Sequence, residues 1–106
     1  MAAAIVDLNI NEGETWEMQV DFWENDDNTL PIDLTGWSFK GAMNFTSRCI
    51  PMSFNVFENA IVARIEANEL VNLPTRGTYA IEADNGTDVT RVLQGNIVVD
   101  KVAVCS

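Results

Sequence analysis

Chemistry in this chain would have to come from carboxylates, because its 106 residues hold 16 Asp plus Glu against 6 Lys plus Arg, no His and 2 Cys. The acids crowd the N-terminal third at Glu12, Glu14, Glu17, Asp21, Glu24, Asp26 and Asp27. Paired carboxylates hydrolyse glycosides when held about 5 to 9.5 Å apart across a cleft, with one of them desolvated enough to keep its proton. Acids on the outward face of a strand have no such environment. The lack of histidine also removes the commonest general base and every Ser-His or Cys-His nucleophile pair. No catalytic residue is expected, and no enzymatic activity.

Glu24, Asp26 and Asn28 stand at alternate positions, as oxygen ligands do in part of a calcium loop. The glycine and distal glutamate that complete an EF-hand are missing, so a solvated turn is the expected structure and no metal or cofactor is assigned. Asp84, Asn85 and Asp88 invite the same comparison and the same answer. Cys49 and Cys105 are too far apart for a C-x-x-C motif and too few for a disulfide scaffold. They are expected to be reduced during synthesis, with a later bridge, within the chain or between subunits of a particle, left open.

The elements that hold these residues follow a period of two, which places alternate side chains on one sheet face. Trp16, Met18, Val20 and Phe22 alternate with Glu17, Gln19 and Asp21, so residues 14–23 read as a half-buried strand. Trp37, Phe39, Gly41, Met43 and Phe45 repeat the pattern over 37–45, with Gly41 marking a bulge or a close backbone approach. Shorter segments at 3–10, 52–57, 60–66 and 78–83 fit the same grammar. The run 89–104 is long for one strand, and Gly95 is the expected site of a bulge or a change of sheet. Asn85-Gly86 predicts a two-residue type I′ hairpin. One helical turn is predicted near 68–73, capped by Asn68 and closed by Pro74.

Strands at this spacing without crossover helices predict an all-β fold. The expected form is an antiparallel β-sandwich, immunoglobulin-like or jelly-roll-like, of seven to eight strands filling residues 1–106 as a single domain. Trp16, Trp37, Phe39 and Phe45 belong to its core by their spacing. Trp23 breaks the alternation beside Phe22, which makes it the candidate for an exposed anchor in a protein contact. The formal charge of −10 and the scattered cations disfavour nucleic acid. No apolar run approaches the roughly 20 residues of a membrane span, and Asp7 interrupts any signal-peptide core. A soluble protein outside the general secretory route is expected.

Three stretches carry a resemblance. Gly13-Glu14-Thr15-Trp16 opens an alternating strand; Pro31-Ile32-Asp33-Leu34-Thr35-Gly36-Trp37 leads into the next; and Leu73-Pro74-x-x-Gly77-x-Tyr79 is followed by Arg91 to Val99, with Gly95 inside a β-rich ending. Together they resemble the N-terminal domain of the baseplate upper protein family and related short virion proteins of tailed bacteriophages. Read physically, Asp33 and Thr35 bond nearby backbone, Gly36 permits a tight bend, and Leu34 and Trp37 pin the corner to the core. No catalytic signature travels with these residues.

The resemblance implies a sandwich that joins virion parts, localised in the virion, with other phage structural proteins and copies of itself as partners. Members of the family continue into a linker and further domains, whereas this chain stops at Ser106, so a free-standing module is expected. Its place is in the tail, baseplate, neck or fibre attachment, or alternatively on the head as a capsid decoration protein. A small carbohydrate- or calcium-binding β module built around Trp23, Asp26 and Asp27 is the competing class.

Overall fold

The structure, a computed structural model, describes residues 4–24, 27, 29–46 and 48–101. Among them the chain forms nine strands and one 3-10 turn: β1 (Ala4–Ile5), β2 (Leu8–Asn11), β3 (Trp16–Asp21), β4 (Ser38–Asn44), β5 (Cys49–Pro51), β6 (Ser53–Phe57), β7 (Ala60–Ile65), the 3-10 turn (Ala67–Glu69), β8 (Arg76–Asp84) and β9 (Val89–Asp100). They make two layers. One sheet has the order β1-β9-β8-β4-β5, with β2 also on β9, and the other has the order β3-β7-β6. The fold is a β-sandwich.

Alternation decides which side chains meet between the layers. Ile61, Ala63 and Ile65 of β7 face Tyr79, Ile81, Leu93 and Ile97 of the larger sheet, and all are buried. Met43, Ile50, Leu70 and Leu73 close the same core. Phe22, Trp37, Phe39 and Phe54 form a chain of ring contacts with centroids 5.8 to 6.4 Å apart, toward one end of the sandwich.

Pairing is antiparallel except at one margin, where β1 and β2 both run parallel to β9. The predicted strand 3–10 is therefore two short strands, split where the chain passes over Gly95. A Cβ on Gly95 would lie 2.1 Å from the Val6 carbonyl oxygen, so only glycine admits this approach. The Tyr79 hydroxyl donates to that same carbonyl. The Asp7 carboxylate accepts from the Asn96 N–H at 3.0 Å, filling a ladder position across the break. Tyr79 and Gly95 are cross-strand partners, so the ring and the glycine meet the same Val6 carbonyl.

Other expectations shift by small, explicable amounts. The bulge in β9 falls at Val92, not Gly95: Ile81 pairs with Leu93 and Glu82 with Arg91, leaving Val92 without a partner. Gly41 marks a close approach and not a bulge, since a Cβ there would meet the Phe54 ring at 2.8 Å. The strand expected at 52–57 is β6, and β5 precedes it without having been expected; they join at Met52, whose N–H bonds the Gly41 carbonyl at 2.9 Å as the chain turns from one sheet into the other.

The β8–β9 link spans four residues, in place of the two-residue hairpin expected from Asn85-Gly86. Asp84 accepts from the Gly86 N–H at 2.8 Å, and Asn85 accepts from the N–H groups of Thr87 and Asp88 at 2.9 and 2.8 Å. These side chains satisfy the turn's backbone donors, so the ladder need not close tightly. The helical turn begins at Ala67 with no side-chain cap, and Asn68 lies within it.

Candidate functional site

The second sequence motif builds one wall of an open cleft. Asp33 accepts from the Thr35 N–H at 3.0 Å and from the Thr35 hydroxyl at 2.6 Å, bonds that hold its carboxyl below the ordinary aspartate range. The Trp37 N–H then donates to the Leu34 carbonyl at 3.0 Å around Gly36, whose φ of 81° suits glycine. Leu34 drops into the core and Trp37 turns toward Phe22 at a centroid distance of 6.4 Å. Pro31 bridges Trp23 in a short ribbon, in which Glu24 N–H bonds the Leu30 carbonyl.

Between this wall and the larger sheet lies a cavity of about 500 Å³, open on one side. Among the described residues, Val20, Phe22, Trp23, Ile32 and Trp37 line it from the β3 side. Ala83, Thr90, Val92 and Leu93 line it from the β8–β9 side, with Asn85 and Asp88 in the turn at the mouth. The bulge matters here, because it lets adjacent residues Val92 and Leu93 both reach the cleft. The charged residues of the described lining are Asp21 and Asp88, and none is a cation. No buried side-chain nitrogen or oxygen among the described residues lacks a partner.

Trp23 is thus half-buried in the cleft wall instead of standing free on the outer face, although it remains at the surface. Gly13, Thr15 and Trp16 lie at the opposite end of β3. Gly13, with φ of 82°, donates to the Leu70 carbonyl at 2.7 Å, and Trp16 packs on the core. Gly77 sits under the Phe45 ring, where a Cβ would approach within 2.6 Å. The motif residues divide accordingly: Pro31 to Trp37 shape the cleft, while Gly13 to Trp16, Gly77, Tyr79 and Gly95 hold the distant frame. Cys49 is exposed on β5; Cys105, Asp26 and Asn28 lie outside the described residues, and with them the bridge and the calcium loop.

Sequence reasoning missed two polar clamps. The Glu12 carboxylate accepts from the Leu73 N–H at 2.9 Å with Lys101 at 3.5 Å, and the Leu73 bond is the main reason its pKa is lowered. Arg48 donates to the carbonyls of Glu69 and Val71, the latter at 2.8 Å, tying the loop after β4 to the 3-10 turn. Neither has a local signal, since the partners stand 61 and 23 residues away.

No known protein family matches this chain, and no curated protein matches it in sequence. Among solved structures, InlP of Listeria monocytogenes is similar with a TM-score of 0.50 and 14% identity, over 92% of this chain and 28% of that one. The chain therefore corresponds to a little over a quarter of that protein's length. The likeness concerns the fold.

Proposed function

We propose that this chain is a non-enzymatic structural protein of a tailed-phage virion, joining tail, baseplate, neck or fibre components through its sheet edges and its end cleft. The observation that carries the docking role is the outer edge of β6, on which no strand pairs among the described residues. The Phe22 N–H donates to the Asn59 carbonyl at 2.8 Å, which sets the parity of the ladder. Alternation then points the backbone groups of Ala60, Val62 and Arg64 at β6 and leaves those of Phe54 and Val56 facing outward. This edge, Ser53-Phe54-Asn55-Val56-Phe57, holds no charge and no proline, the usual protections against strand addition. Val56 is 50% exposed and Phe57 66%.

Two further observations support the reading. The carboxylates of Glu12, Asp33 and Glu66 are all held below their ordinary values by hydrogen bonds, opposite to what a general acid needs. The motifs that resemble those of the baseplate upper protein family are fold-making, and supply a frame with edges to spare. Quantitative mass spectrometry of purified particles tests the proposal. Copy numbers in small multiples of three or six, with full but uninfectious heads on deletion, are expected. One copy per capsid subunit, with heads weakened by heat, would instead make it a decoration protein. Absence from particles would overturn the virion reading.

A further inference from the structure

We propose that the cleft end of the sandwich is a docking site for an extended basic-hydrophobic segment of a partner protein. One apolar side chain of that segment enters between the sheets, and a neighbouring Lys or Arg is held at the mouth by Asp88. This rests on reading the chain as an assembly module and deepens it by naming the partner's chemistry.

The cavity of about 500 Å³ lies in the range that takes a bound group of substantial size. Its inner walls are aromatic and aliphatic, with no buried polar atom left over among the described residues to demand a hydrogen-bonding ligand. An apolar body therefore fills it best. Of the two charged residues in the described lining, Asp88 stands in the turn at the mouth, while the Asp21 carboxylate lies on the outer face of β3 and accepts from Gln19 at 2.9 Å; no cation in that lining offsets either, in a chain of net charge −10. Carboxylates accept and never donate when ionised, so the complementary group is a cation, which the Trp23 face would also attract.

The apolar surface continues beyond the cavity, which favours a segment of chain over a small molecule. Phe57 opposes Ala60, which opposes Asp21, so the exposed Phe57 stands two strand spacings, about 10 Å, from Asp21 at the same end of the sandwich. On the other sheet Val89, 62% exposed, opposes Asp84 at the same end. A second copy is a poor occupant, because it brings the same excess of acids to an acidic rim.

The test is titration of the isotope-labelled full chain, followed by amide NMR, with three synthetic peptides: Gly-Lys-Trp-Leu-Lys-Gly, its Glu-for-Lys counterpart, and its Ser-for-Trp-Leu counterpart. The Lys-Trp-Leu peptide should bind, with shifts concentrated at Phe22, Trp23 and Val92, and the other two should not. The variant Asp88→Asn, which keeps a side-chain acceptor in place, should bind about tenfold more weakly, whereas Glu17→Gln on the outer face should not change affinity. Equal binding of the acidic peptide, shifts elsewhere, or no binding overturns the proposal. So does a mass that doubles with concentration while the same amides shift, because that assigns the cleft to a second copy. A protein present in particles that ignores the peptides defeats the cleft proposal alone; one absent from particles that binds the basic peptide there defeats the virion reading alone.

Discussion

Individual residues here act mostly by relieving backbone demands at a distance. Tyr79 is the clearest case: it is buried, its ring packs in the core, and its hydroxyl holds the Val6 carbonyl over Gly95. Tyr79→Phe removes one donor from a carbonyl at the sheet margin and should cost about 1 kcal/mol in urea denaturation. Gly95→Ala should cost more, since a methyl group there collides with backbone that no side-chain rotation can move. Glu12, Asp33 and Glu66 give the pH dependence. Their folded pKa values lie below the unfolded ones, so the unfolded chain binds more protons as acid is added. Their stabilisation is complete above the ordinary carboxylate range and is lost as pH falls through the lowered folded values. The urea midpoint should stay level from pH 7 to about 5 and decline below that, with a shallower decline in Glu12→Gln.

Strands and turns divide the work between holding the fold and leaving it open. β7 is the central strand of the smaller sheet, and Ile61, Ala63 and Ile65 are its buried face. Ile61→Ala should cost about 2 to 5 kcal/mol, read as a lower melting temperature or urea midpoint. β6, at the margin, behaves differently: Val56→Lys changes a half-exposed side chain and should alter folding stability by no more than about 0.5 kcal/mol. The same lysine places charge on the open ladder and, under the proposed virion role, should lower incorporation into particles. Incorporation equal to wild type would remove β6 from the contacts. On the outer face, Arg64 links Glu17 and Glu66 with all three side chains well exposed, so Arg64→Gln should leave stability nearly unchanged.

For the molecule as a whole, the pairing of β2 with β9 joins the two ends of the chain across the sheet margin. Contacts of that separation form only after long loops have closed, so refolding is expected in milliseconds to seconds, not microseconds. Stopped-flow Trp fluorescence after dilution from urea measures it. The net charge of −10 adds self-repulsion that salt screens.

The sequence alone determined that alternate residues would share a face, because side-chain direction along a strand has a period of two whatever the neighbours are. Hence the layered β architecture, the inward direction of Trp16, Trp37, Phe39 and Phe45, and the corner at Asp33 to Gly36 could be read before any fold was known, although of those four rings only Phe45 is fully in the core and the others pack against it half-buried. Only the tertiary structure decided what depends on meetings between distant segments. The parallel pairing of β1 and β2, the bulge at Val92, the Glu12 and Arg48 clamps, and the union of Trp23 with Asp88 at one mouth all belong to this class. Their physical cause is register: which strand lies beside which, and how far it has slid, is chosen by the fit of the whole core, and no local run of residues contains that information.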